Sequence, residues 1–353
     1  MAKTSSPGPI YYLCRRQHAY TIGVLLGYYN HGLGDLIRII PYERLSDLSL
    51  IAPGTFIFTD LERLTPDELL TATALHKTIA LQDDSLLLLN DPASVPRRFD
   101  LLRRLKAAGL NDFDVHRLGE RGAIRRFPVF VRWENQHEPP LTGLLDNAQA
   151  LETAIAALPE ATRRNPDLMI VEYGTAPAPD GRFRKYSAFK VGDAIYPQHC
   201  FTSRGWYIKF SEAILGEAER AENRAYVEEN PHVAQLERIF ELADIDYGRI
   251  DYGIVDGRVQ TFEINNNPTV MSRPPGWEPG TDYSRYAEMH ARALRTILRP
   301  AGGPPLRLGD GTMSVDAVHD DAMREVRRRI ARFSRSRRLR SLRQRLARAL
   351  GLG

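Results

Sequence analysis

An α+β fold is what the sequence predicts, and three observations point to it. Through about the first 85 residues, short apolar runs at 21–26 and 55–59 alternate with a helical pattern at 66–76. Residues 185–192 and 195–201 alternate apolar and polar side chains in the manner of antiparallel strands. Between 249 and 268 two more alternating runs flank Asp256 and Gly257, the signature of a hairpin.

Taken in order, Thr65, Pro66, Asp67 and Glu68 form a helix start, with a capping hydroxyl, a proline in the first turn and acids at the positive end of the dipole. Gly32 and Gly34 lack the third glycine and the strand-to-helix context of a nucleotide loop and read as a turn. Leu101, Leu102, Leu105 and Ala108 mark a helix that stops at Gly109. Residues 127–132 are a buried strand ending in Arg132, and 168–174 are a second, followed by a turn at Asp180 and Gly181. Val233, Leu236, Ile239, Phe240 and Ala243 space a helix, and 283–298 form a closing one before the breaker-rich linker 300–305.

The composition permits a catalyst without requiring one. At 353 residues, 43% apolar and 26% charged, the chain is long enough for two to three domains and too apolar for wholesale disorder. Cys14 and Cys200 have no partner motif, so neither a disulfide nor a zinc site is expected, and a reducing cytoplasm is the default setting. The first residues lack an apolar signal core and the aliphatic run 86–89 is too short for a bilayer, so no transmembrane segment is expected. From 321 onward twelve arginines stand against Asp321 and Glu325, a local +10 in a chain of net charge +4. Val326, Ile330 and Phe333, then Leu339, Leu342, Leu346 and Leu350, form two helical stripes that change phase at Ser334 and Ser336. Such a tail suits an anionic partner, RNA or acidic lipid, or is simply solvated, and the solvated reading is preferred.

The hairpin carries the chemistry. A bare two-residue turn at Asp256 and Gly257 would set Asp251 opposite Phe262 and scatter acids and apolar residues alike. An odd-length connection, whether a three-residue loop or a bulge, instead groups Ile250, Tyr252, Ile254, Phe262 and Ile264 on one face. It places Arg249 and Asp251 beside Glu263 and Asn265 on the other. Two adjacent carboxylates resist joint ionisation unless a cation neutralises them. Magnesium takes hard oxygen ligands and usually only one or two protein carboxylates, which Asp251, Glu263 and Asn265 supply. Arg249 adds a fixed positive charge for a developing anion.

The run Arg249-x-Asp251, a hairpin, then Phe262-Glu263-Ile264-Asn265-x-x-Pro268 resembles the metal-binding end of the ATP-grasp superfamily. The resemblance implies ATP clamped between two α+β subdomains, with Asp251 and Glu263 binding magnesium, two ions by expectation, that bridge the phosphates. Weaker echoes run from about 90 to 268 and imply segments 1–88 (a preceding α/β domain), 89–165 and 166–299 (the two subdomains) and 300–353 (linker and arginine-rich tail). By the same resemblance Arg97 or Arg98 approaches the phosphates, and Arg132 stands where a lysine is usual. Glu172 accepts the adenine amine through carboxylate or backbone, and Asp180 is a ribose candidate. Lys209 is placed near the transferring phosphate, and His137 is a loop histidine of no assigned partner. Residues 133–140 depart from the family, lacking its small glycine-rich phosphate loop. The implied activity is a carboxylate-amine ligase working through an acyl phosphate. A phosphotransferase on the same site, or a degenerate scaffold binding RNA or membrane through its tail, are the alternatives.

Overall fold

The computed structural model describes residues 7–29, 31–83, 86–136, 138–270 and 283–349, with the side chains of Phe210, 283–284 and 333–349 outside that description. His137 and Leu350 therefore lie outside the described residues, as do the side chains of Phe333, Leu339, Leu342 and Leu346. Contacts divide the chain into two units, one of Met1–Thr59, Leu70–Leu88 and Asn267–Gly353, the other of Asp60–Leu69 and Leu89–Asn266. The described residues 267–270 and 283–299 fall in the first of these units.

In the first unit β1 (Ile10–Cys14) runs parallel to β2 (Ile37–Pro41) on one side and to β4 (Thr55–Phe58) on the other, with β5 (Leu87–Leu89) beyond β4. The short β3 (Leu50–Ile51) pairs antiparallel with Leu306–Arg307. The helix Val315–Ala349 packs along β2, burying Val318, Ala322, Met323 and Val326. Its His319 Nδ1 accepts the Ile39 N–H at 3.0 Å, giving an edge-strand donor a partner. Its backbone continues without a break past Ser334 and Ser336.

Residues 21–26 are not a strand. They form α1 (Tyr20–Val24) and a π-helical turn, Leu25–Tyr29. The β-branched residues favoured a strand locally, but tertiary packing decided otherwise. A Cβ on Gly23 would stand 2.8 Å from Val326 Cγ2, so this turn of helix sits hard against the long helix. The helix begun at Pro66 appears as α2 (Pro66–Gln82). Its cap is reciprocal: Glu68 N–H donates to Thr65 Oγ1 at 3.3 Å and Thr65 N–H to the Glu68 carboxylate at 2.7 Å. Gly32 and Gly34 lie in a turn.

The second unit holds two antiparallel sheets. In the first, β6 (Val115–Arg117) and β7 (Val129–Trp133) flank β8 (Leu168–Glu172), with α3 (Arg98–Ala107), α4 (Ala148–Ala157) and the short α5 (Glu160–Arg163). In the second, the order is β10 (Ala194–Ser203), β9 (Phe183–Val191), β11 (Tyr247–Val255), β12 (Arg258–Asn265), covered by α6 (Glu217–Glu229) and α7 (Val233–Ala243). Apolar spacing explains the packing. Leu101, Leu102 and Leu105 of α3 meet Leu236, Ile239, Phe240 and Ala243 of α7 in one core with Val171, Ile250 and Tyr252. Val129, Val131 and Ile170 form a second core with Leu151 and Ile155 of α4.

Both cysteines are free and buried. Among the described residues no helix is long and apolar enough to cross a membrane.

Candidate functional site

The hairpin of β11 and β12 pairs Arg249 with Asn265, Ile250 with Ile264 and Asp251 with Glu263. Four polar residues thus share one face, in the predicted register. The turn itself is the two-residue one. Val255 pairs with Arg258, and Asp256 and Gly257 both take positive φ, 50° and 75°, as an Asp-Gly turn of the primed type requires. A bulge reconciles the two facts: Tyr252 pairs with Thr261, so Phe262 has no residue opposite it. Asn111 steadies the ladder there, exchanging side-chain amide hydrogen bonds of 2.9 and 2.8 Å with the Thr261 backbone. The bulge also corrects one expectation. Phe262 does not join the apolar face but lines a cleft with Asp251 and Glu263, its ring lying over Gly253.

That cleft, open to solvent, lies within the second unit and has an apolar part and a charged part. Phe113, Phe130, Met169, Val171, Trp206 and Phe262 wall the apolar slot. Trp206 holds its place by ring contacts with Phe130 at 4.9 Å and Tyr173 at 5.9 Å. Gly174 allows the close approach of Phe113, because a Cβ there would meet the Phe113 ring at 2.0 Å. The charged part gathers Arg132, Lys185, Lys209, Asp251 and Glu263.

Asp251, 3% exposed, is held by three donors: Ser187 Oγ at 2.8 Å and Arg249 Nε at 2.9 Å on Oδ1, and Lys185 Nζ at 3.1 Å on Oδ2. Burial alone would raise its pKa, but Arg249, Lys185 and these hydrogen bonds outweigh it and hold the carboxyl well below the usual range. Glu263 is paired with Arg98, and Arg98 and Arg132 both donate to the Gln136 carbonyl, at 3.3 and 3.0 Å. The carboxylates are therefore neutralised by protein cations, whereas the sequence argument assigned that task to a metal alone. Burial pushes down the pKa of Arg98, Arg132 and Lys209; Arg132 adds to the effect on Arg98, and Lys185 to that on Lys209. Four cations, Arg132, Arg184, Lys185 and Lys209, line the cleft with three carboxylates, Glu172, Asp251 and Glu263, while Arg98 and Arg249 pair with the last two.

Of the residues proposed from sequence, Arg132, Glu172, Lys209, Asp251 and Glu263 line the cleft, and Arg98 and Arg249 reach it through their ion pairs. Asn265 is next in the row, opposite Arg249 and buried. Glu172 turns its carboxylate into the first sheet, accepting Asp114 N–H at 2.9 Å and lying 3.3 Å from His116 Nε2. Asp180 is not among the cleft residues. The turn beside it brings Arg184 back to pair with its carboxylate at 2.6 and 2.8 Å, and its own loop uses it up. Arg97 pairs with Asp167 at 2.9 Å. Where a glycine loop was expected after Arg132, the buried Glu134 instead accepts Phe99 N–H at 3.2 Å in the first turn of α3 and pairs with Arg117 at 2.8 Å.

Lys185, Ser187, Trp206 and Phe262 had not been assigned to the site. Lys185 and Ser187 follow from alternation on β9 once its pairing with β11 is known, as Asp251 lies opposite Ser187.

Among the described residues no group of three or more His, Cys, Asp or Glu side chains is placed to hold a metal. Two opposed carboxylates and a neighbouring amide are nonetheless the few hard oxygens that magnesium takes when phosphates and water complete its shell. Asp251 Oδ2 engages one donor where Oδ1 engages two, so Oδ2 is the less engaged carboxylate oxygen that a magnesium ion would meet.

No family model and no curated protein matches the chain. Among solved structures it is similar to a D-alanine–D-alanine ligase from Bacillus anthracis complexed with ATP, at 14% identity over 82% of this chain and 98% of that one, TM-score 0.44. It is also similar to the ATP-grasp ligase PsnB complexed with minimal precursor (12%, 81% and 99%, TM-score 0.44). A D-alanine–D-alanine ligase from Coxiella burnetii gives 13%, 93% and 99%, TM-score 0.44.

Proposed function

We propose that the second unit binds a magnesium-nucleotide and that the protein is an ATP-dependent ligase of ATP-grasp type, joining a carboxylate to an amine. The observation that supports this most is the meeting in one cleft of an aromatic slot, the cations Arg132, Lys185 and Lys209, and the opposed carboxylates Asp251 and Glu263. The slot takes the adenine ring, with the backbone after Glu172 rather than its carboxylate facing the base. Arg98, Arg132 and Lys209 take phosphate oxygens. Asp251, Glu263 and Asn265 would hold magnesium, which when bound neutralises and orients the phosphates. Arg98 exchanges Glu263 for phosphate as the nucleotide enters.

In the first step an oxygen of the substrate carboxylate attacks the γ-phosphorus and ADP departs, leaving an acyl phosphate. In the second an amine attacks the acyl carbon, phosphate leaves and the amine proton passes to solvent or phosphate. Arg249, fixed on β11 by its bond to Asp251, compensates the charge that gathers on the transferring group and on the tetrahedral carbon.

Incubation with ATP, magnesium, hydroxylamine and a pool of carboxylates tests this. A hydroxamate formed together with ADP and phosphate is the expected product. ADP with a stable phosphorylated product would replace the ligase by a phosphotransferase. A second reading, a nucleotide-binding scaffold without turnover, draws on the engagement of both carboxylates by protein cations and on Glu134 in the place of a phosphate loop. Magnesium-dependent ATP binding with no product from any acid would favour it.

A further inference from the structure

The second sheet carries a polar row that crosses all four strands. His199 on β10 lies opposite Ser187 on β9, Ser187 opposite Asp251 on β11, and Asp251 opposite Glu263 on β12. The row is hydrogen-bonded from its outer end. His199 Nε2 is 3.0 Å from Ser187 Oγ, and Ser187 Oγ is 2.8 Å from Asp251 Oδ1. A register shift between Pro197 and His199 is what brings the imidazole onto this face, and stacking on Phe201, 3.8 Å between centroids and 18° apart, holds the ring.

The direction of the chain follows from proton counting. Ser187 Oγ donates its single hydroxyl proton to Asp251 Oδ1. The hydroxyl then has only lone pairs for His199, and Nε2 must carry a proton. His199 thereby keeps the serine proton from turning away from Asp251, and Ser187 with Arg249 fixes Oδ1. What remains for an incoming cation is Oδ2, which takes one donor, the cleft residue Lys185.

We infer that His199, acting through the fully buried Ser187, is a positioning residue for Asp251 that fixes the carboxylate so that Oδ2 is presented to a nucleotide-bound divalent cation. The inference rests on the magnesium-nucleotide reading above. Neither His199 nor Ser187 lines the cleft, so neither touches the nucleotide. Outer groups that orient a metal ligand matter out of proportion to their distance, because a carboxylate free to rotate must be ordered each time the ion binds.

The test is calorimetric titration of magnesium into full-length protein with saturating ATP, beside titration of ATP in EDTA, with folding checked by circular dichroism. His199→Phe keeps the stacking and removes the donor; Ser187→Ala removes the relay; His199→Gln retains an N–H at similar reach. The first two are expected to weaken magnesium about tenfold, with ATP binding in EDTA unchanged and His199→Gln within about twofold of wild type. Unchanged magnesium affinity in His199→Phe and Ser187→Ala would overturn the inference. Equal loss in His199→Phe and His199→Gln would also overturn it, since the donor would then be irrelevant. Wild-type protein whose ATP binding ignores magnesium would overturn the nucleotide reading itself, and this inference with it.

Discussion

Asp251→Ala is expected to lower the thermal midpoint of the second unit by roughly 10 °C and to abolish magnesium-dependent nucleotide binding. The carboxylate is 3% exposed and takes hydrogen bonds from Ser187, Arg249 and Lys185. Removing it leaves two cations facing each other across the row, with Ser187 stripped of its acceptor. Breaking a buried pair from one side costs about 3–5 kcal/mol, well beyond the worth of the pair itself, because the remaining charge stays desolvated. Calorimetric melting would measure this. A midpoint within a degree or two of wild type would mean that water reaches the site freely and that Asp251 is not the electrostatic centre of the row.

The second large effect is expected from Gly174→Ala. This glycine follows β8 on the wall of the aromatic slot, and an added Cβ would lie 2.0 Å from Phe113 Cδ1 and 2.5 Å from Cγ. Neither the backbone nor the ring has room to yield, since Phe113 is 2% exposed within the core that α3 and α7 share. Overpacking of this kind costs about 1–3 kcal/mol, and here it also displaces a wall of the cleft. Urea denaturation should show the loss of stability, and nucleotide titration a weaker complex. Gly205→Ala, at a position where a Cβ would meet nothing within 4 Å, is the control and should change neither. Equal behaviour of the two variants would remove the slot from the account.

How much of this could be read from the chain follows from what each signal depends on. The facing of Asp251 and Glu263 was legible because apolar and polar residues alternate on both strands, so burial and charge demand the same register. The device that achieves it was only half legible. Asp256 and Gly257 announce a two-residue turn, and the bulge that turns Phe262 into the cleft depends on Asn111, which arrives from far away in sequence. The cations beside Asp251 were hidden for a similar reason. Lys185, Ser187 and His199 meet the acid only through the strand order β10-β9-β11-β12, and alternation within a strand carries no information about its neighbours. Asp180 misled because a turn acid resembles a ribose ligand until Arg184 is seen to fold back onto it. Residues 21–26 misled because their β-branched side chains speak for a strand, while Gly23 against Val326 decides for a helix.

The most direct test of the magnesium-nucleotide site is the ATP-induced melting shift of Glu263→Ala beside wild type, each with magnesium and with EDTA. Glu263→Ala leaves Arg98, whose side chain is 9% exposed, without its carboxylate partner, so the variant should melt below wild type and the ATP-induced shift is read from each protein's own midpoint. The expected result is a wild-type shift that needs magnesium and a variant that, measured from its own lower midpoint, gains nothing from magnesium and ATP together. A variant with the full wild-type shift would contradict the account.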